Sequence, residues 1–217
     1  NELQSRMKKN WIKELERIEE WQVTVPFKWQ DVYHLVILPM YNEPHEVIVE
    51  SFRSLAKVNY PLDKLIVVLA TEQRVSEARI TAERIKDEFG SLFFDFLITE
   101  HPGNLPGEIP GKGSNETWAG REAQKLIDRH GISYERVLVS SLDSDTQIYP
   151  EYFGVVTHAF MTCKDPQRSS FQPVPLFVNN IFTAPALARV IAFSASFWHL
   201  IQQSRPERLI TFSSQSI

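Results

Sequence analysis

Three stretches of this chain are apolar at nearly every position, Tyr33–Met40 (YHLVILPM), Lys64–Thr71 (KLIVVLAT) and Leu92–Thr99 (LFFDFLIT), and a fourth, Glu135–Asp143 (ERVLVSSLD), has an apolar centre. A strand wetted on one face alternates polar and apolar residues, so runs without alternation require cover on both faces. The segments between them supply that cover. Glu46–Val58 has helical character and ends before Tyr60-Pro61, Ser76–Phe89 is a charged helix stopped by Gly90, and a third helix is capped by Asn115, runs to His130 and is closed by Gly131. Apolar strands separated by helices specify an α/β protein, a doubly wound, mainly parallel sheet with helices on both faces. Ahead of it, Met7, Trp11, Leu15 and Ile18 recur at helical spacing. Residues 1–30 therefore form an amphipathic lead-in helix and linker, and residues 31–217 the sheet domain.

Composition narrows the function. The 217 residues carry 23 Lys+Arg against 27 Asp+Glu, a net charge of -4, without a basic block, which excludes a nucleic-acid surface. The single cysteine, Cys163, excludes an intrachain disulfide or a zinc-thiolate cluster, and no activating His stands near it in sequence, so it is a small helix residue rather than a nucleophile. The longest apolar region, Ile181–Ile201, contains Pro185, Arg189 and His199. A charge at the centre of a membrane helix costs roughly 2.5–3.5 kcal/mol, so this region is expected to be a buried or interfacial helix, packed in the core, rather than a span. The polar start NELQSRMKKNW has no signal-peptide pattern and begins at Asn1, and the chain is expected to be an excised piece of a longer one.

In a doubly wound sheet, ligands bind beyond the carboxyl ends of the strands, where the strand order reverses. Those ends are acidic here: Pro39-Met40-Tyr41-Asn42-Glu43-Pro44, Ala70-Thr71-Glu72, Glu100-His101 and Leu142-Asp143-Ser144-Asp145. Asp143 and Asp145 are two apart, so in extended backbone both carboxylates face one way. Two carboxylates at one place repel each other and any phosphate. A hard divalent cation such as Mg²⁺ or Mn²⁺ reverses that sign, since it takes oxygen ligands from carboxylates and phosphates together. The bland alternative is a surface turn leading into the next helix.

Between the third run and its helix lies a loop rich in Gly and Pro that ends Gly111-Lys112-Gly113-Ser114-Asn115. Glycine backbone before a helix N-terminus offers N–H groups to an anion, and Lys112 adds a point charge; the alternative is a long exposed loop. It is not a GxxxxGK[ST] phosphate loop, because position 106 is Pro and Gly113 follows Lys112. No GxGxxG follows the first run, and His45-Glu46 lacks the second histidine of an HExxH zinc site.

Taken together, the strand ending PMYNEP, the acid ending the second strand, the GKGSN entry to a helix and the strand ending LDSD resemble family 2 glycosyltransferases of the GT-A fold, over about Tyr33 to Ile217. The resemblance implies a transferase that moves a sugar, with inversion, from a nucleotide-diphospho-sugar, most commonly a UDP-sugar, to a hydroxyl of a glycan or lipid acceptor. It implies nucleotide contacts at Pro39, Tyr41, Asn42 and Glu43, a base-reading carboxylate at Glu72, a lysine near the nucleotide-sugar at Lys112, Asp143 toward ribose or metal, and Asp145 on Mg²⁺ or Mn²⁺. It also implies work at the cytoplasmic face of a membrane, through segments flanking this piece.

Two departures stand out. Ala70-Thr71-Glu72-Gln73-Arg74 replaces the family's usual Asp-Asp-Gly-Ser type sequence, which leaves the base preference open. The acidic motif that supplies the general base, and the Gln-x-x-Arg-Trp motif of processive members, are not found; after Asp145 the acids are Glu151, Asp165 and Glu207. FQPVPLFVNN (Phe171 to Asn180) resembles the strand after the DxD region, and the base is expected beyond Ile217, leaving the isolated piece inactive. Two alternatives are a sugar-1-phosphate nucleotidyltransferase, whose Gly- and Arg-containing loop after the first strand is missing here, and a fold-retaining scaffold that binds a partner through the aromatic helix Phe182 to Trp198.

Overall fold

A computed structural model of the protein describes residues 8–173, 185–203 and 214–217. Five strands form one sheet: β1 (Tyr33–Pro39), β2 (Leu65–Glu72), β3 (Asp95–His101), β4 (Val137–Ser141) and β5 (Gln215–Ser216), in the order β3-β2-β1-β4-β5. The first four are mutually parallel, and β5 lies antiparallel on β4. Among the described residues the α-helices are α1 (Trp11–Glu16), α2 (His45–Leu55), α3 (Ser76–Phe89), α4 (Lys112–His130), α5 (Tyr152–Thr162) and α6 (Ala186–Gln203). The chain is thus α/β, with a mainly parallel sheet.

The second apolar run explains the layering. All of β2 is buried. Its Leu65, Val67 and Leu69 join one core with Ile48 and Phe52 of α2, Ala82 and Ile85 of α3, and Phe153 and Phe160 of α5. Its Ile66, Val68 and Ala70 join a second core with Ala119, Ala123, Leu126 and Ile127 of α4. Helices therefore cover both faces, and a fully buried Val or Leu contributes roughly 1.5–3 kcal/mol. The alanines of α4 let it lie close to the sheet, so its N-terminus sits beside the strand ends.

Several elements differ from expectation. The third strand begins at Asp95, because a 3₁₀ turn over Gly90–Leu92 intervenes and turns Phe93 into the core, its ring 6.4 Å from those of Phe52 and Phe96. α4 starts three residues before Asn115, which is buried in its first turn; the cap contact is made by Ser114 Oγ, which accepts from Gly111 N at 3.1 Å. The lead-in helix is a short one, with Asn10 accepting from Lys13 N at 3.0 Å as its cap; Met7 lies outside the described residues. It docks through buried Leu15 and through Trp11, whose ring is edge-on to His158 of α5 at 5.1 Å.

Of the apolar region Ile181–Ile201, the part from Ala186 onward forms a helix, α6, but its Leu187, Val190, Ile191, Phe197 and Trp198 are exposed, and positions 181–184 lie outside the described residues. Packing in the core is therefore not what the described residues show. No helix among them is long and apolar enough to cross a membrane. Of FQPVPLFVNN, Phe171 bridges antiparallel to Ser216, and positions from 174 onward lie outside the described residues.

Candidate functional site

The strand order reverses between β1 and β4: the chain passes from β1 to β2 and β3 on one side, then returns to place β4 on the other. At that point the carboxyl ends diverge and leave a crevice. A cleft of about 500 Å³ opens there, within the range of small-molecule sites. The β1 end contributes Pro39, Met40, Tyr41 and Glu43, the β2 end Glu72 and Arg74, the α4 N-terminus Gly111, Lys112 and Asn115, and the turn after β4 Asp143, Ser144 and Asp145.

Of the expected site residues, Pro39, Tyr41, Glu43, Glu72, Lys112, Asp143 and Asp145 thus line one cleft. Asn42 is exposed and is not among the lining residues. The acidic end of β3 also lies elsewhere: Glu100 is exposed, and buried His101 holds the following loop through Glu108, Nε2 to Oε2 at 2.9 Å.

At one end of the cleft, Lys112 Nζ donates to Asp143 Oδ1 and stands 3.7 Å from Glu116. Glu116 is held in turn by Ser141 Oγ, which donates to its Oε1 at 2.7 Å. The α4 N-terminus directs the positive end of its dipole at this cluster, which favours anions. Ser144, buried, sits between an intermediate Asp143 and an exposed Asp145, so the two carboxylates come from one tight turn with its middle residue anchored inside.

At the other end, buried Glu72 accepts from Arg74 Nε, and the guanidinium carbon lies 5.1 Å over the Tyr41 ring. The Glu72 hydrogen bond raises the pKa of Arg74 above its ordinary value, so it stays a fixed cation. Tyr41 N donates to Glu43 Oε2 at 2.8 Å, which makes Glu43 a brace for the β1 loop. Asn115 joins the two strand ends: its Nδ2 donates to Ala70 O at 2.8 Å, and Met40 N donates to the same carbonyl at 2.8 Å.

The acidic turn fits a hard divalent cation by donor chemistry, since Asp143 and Asp145 offer only oxygen. Among the described residues no cluster of three or more His, Cys, Asp or Glu is placed to hold a metal. Two carboxylates with the rest of the shell left to phosphate and water match the way Mg²⁺ is usually held.

Met40, Arg74, Asn115 and Ser144 line the cleft without a ligand role assigned from the sequence, and of these Arg74 and Asn115 carry the longer polar side chains. Arg74 has a signal in retrospect, a cation two positions beyond the acid that ends β2. Asn115 has the signal of a helix cap, which conceals it.

No protein-family model matches the chain, and no curated protein matches its sequence. Among solved structures it is similar to residues 1–349 of TarS from S. aureus, with 23% identity over 59% of this chain and 32% of that one and a TM-score of 0.43. It is also similar to the mannosyltransferase PcManGT from Pyrobaculum calidifontis, solved in complex with GDP-Man and Mn²⁺, with 20% identity over 79% of this chain and 45% of that one and a TM-score of 0.44. The chain spans about a third of the first structure and under half of the second.

Proposed function

We propose that the protein is the donor-binding part of an inverting glycosyltransferase of the family 2, GT-A type, and that the cleft takes a nucleotide-diphospho-sugar. The observation that carries this reading is the convergence on one switch-point cleft of Asp143 and Asp145 with Lys112 and the α4 N-terminus, opposite Tyr41, Glu72 and Arg74. The first group suits a diphosphate with its counter-cation. The second offers a ring, acceptors and a guanidinium, which suit a nucleoside.

The roles follow from charge and position. Asp143 and Asp145 would hold Mg²⁺ or Mn²⁺, which when bound supplies Lewis-acid neutralisation of the diphosphate leaving group. Lys112 supplies a mobile ammonium that exchanges Asp143 for a phosphate oxygen, and the α4 N-terminus adds backbone N–H groups. Glu72, fixed by Arg74, accepts from the nucleoside, while Arg74 donates to a base carbonyl and covers one face of Tyr41.

Isothermal titration with UDP and with GDP, with and without Mn²⁺, tests the reading. Binding by either nucleotide that depends on Mn²⁺ and is lost in Asp145→Ala supports it. Absence of binding by both, or binding indifferent to Asp145, overturns it in favour of a scaffold that keeps the fold.

A further inference from the structure

Asn115 carries an observation that the donor-site reading does not use. It is 1% exposed, and its Oδ1 is a buried oxygen without a hydrogen-bond partner. Such an atom destabilises the fold unless something donates to it. The amide cannot turn round to relieve this, because Nδ2 donates at 2.8 Å to Ala70 O. Reversal would set oxygen against that carbonyl, so Oδ1 is fixed as an acceptor. The residue borders the cleft, and the carbonyl it grips also receives Met40 N, which puts Asn115 where the ends of β1 and β2 meet. Tyr41, Glu72 and Arg74 come from those same two ends, whereas Asp143 and Asp145 follow β4.

Resting on the donor-site reading, we infer that Asn115 is a nucleoside-recognition residue: Oδ1 accepts one hydrogen from the nucleoside half of the ligand, a base N–H or a ribose hydroxyl. The diphosphate of a nucleotide-sugar cannot satisfy it, since both of its phosphates are substituted on each side and their oxygens carry no hydrogen at neutral pH. Discrimination follows from the same one-way amide. A ligand that presents only acceptors at this point leaves two oxygens facing each other, and a site with a buried polar group left unpaired rejects that ligand.

The test compares ligands that share the diphosphate and differ in the nucleoside. Affinities of UDP, GDP, their 2′-deoxy forms, N3-methyl-UDP, N1-methyl-GDP and inorganic pyrophosphate are measured by titration in Mn²⁺ for the wild type and Asn115→Ala. Melting of both proteins checks the fold. The expected result is a loss of about five- to tenfold for UDP or GDP in Asn115→Ala, the size of one hydrogen bond, with pyrophosphate affinity unchanged. With one analogue the loss disappears. Disappearance with the N-methyl form identifies a base N–H, and disappearance with the 2′-deoxy form identifies the ribose.

Asn115→Asp gives an independent arm, because it keeps an oxygen and removes the Nδ2–H that fixes it. It is expected to weaken nucleotide binding by more than pyrophosphate binding, which the added charge lowers on its own. Equal losses for nucleotides and pyrophosphate, in either variant, mean that Asn115 only supports the strand ends, and the inference falls. So does a loss that no analogue abolishes. If the wild type binds no nucleotide in an Mn²⁺-dependent way, the donor-site reading itself has failed. Nucleotide binding that requires Asp145 but is indifferent to Asn115 overturns this inference alone.

Discussion

At the scale of single residues, the site is held by ion pairs that a ligand must rearrange. Lys112 on Asp143 places a side-chain cation where a metal would be needed, so ammonium and metal compete for one carboxylate. Lys112→Ala is expected to tighten Mn²⁺ binding in the absence of nucleotide, read by the loss of free-Mn²⁺ electron paramagnetic resonance signal, and to weaken binding of nucleotide diphosphate. The opposite signs distinguish this exchange from general damage to the site, which would weaken both. Away from the cleft, His34 is fully buried between the rings of Tyr60 and Phe153, with Nε2 2.8 Å from Thr157 Oγ1. Burial pushes its pKa down to about 3. The folded state therefore excludes a proton that the unfolded chain, with a histidine pKa of about 6.5, binds readily. The His34 contribution is complete above about pH 6.5 and declines as pH falls from there toward 3, by up to roughly 1.4 kcal/mol per pH unit. Urea unfolding at pH 7 and pH 5 is expected to show a steeper loss in the wild type than in His34→Gln, and equal slopes would refute the assignment.

At the scale of elements, close packing decides what moves with what. α1 lies on α5 across Gly154, where an added Cβ would come within 2.9 Å of Trp11 Cβ. Gly154→Val is expected to lower stability by roughly 1–3 kcal/mol, the cost of overpacking, and to move Trp11 fluorescence toward that of an exposed indole. A lower melting temperature with unchanged fluorescence would mean that α5, rather than the α1 contact, absorbs the strain. The elements also show what a sequence can carry. β1 and β2 are legible because continuous burial leaves continuous apolar runs, whereas β4 is half-buried in alternation and is legible from its short Val137-Leu138-Val139 centre. β3 is displaced because LFFDFLIT is apolar for two different reasons, with Phe93 entering the core from a 3₁₀ turn and only Asp95 onward pairing with β2. Among the cleft-lining residues, the placement of Asp143, Asp145 and Glu72 is legible because a strand end names its own position. Asn115 is not: its role arises only because α4, packed by Ala119 and Ala123, brings a helix turn against Ala70 of a strand far away in the chain. The exposure of α6 is equally invisible in composition, since an apolar helix specifies that it needs a neighbour and not which one.

At the scale of the whole molecule, the cleft is assembled from the ends of β1 and β2, from the α4 N-terminus and from the turn after β4, and these elements are joined by a single sheet and its two cores. A ligand bridging Asp143 and Asp145 to Tyr41 and Glu72 ties β4 to β1 and β2, so its binding energy is expressed in unfolding of the common sheet. With Mn²⁺ and a bound nucleotide diphosphate at 100 times its dissociation constant, the folded state gains about 2.7 kcal/mol. For a chain of this length that corresponds to a rise in melting temperature of roughly 5–10 °C, growing with the logarithm of ligand concentration. The shift is expected in a single transition, absent without Mn²⁺ and absent in Asp145→Ala. Calorimetry would show a second, ligand-insensitive transition if the cleft were carried by a part that unfolds independently of the sheet, and that outcome would contradict the single cooperative unit implied by four elements converging on one switch point.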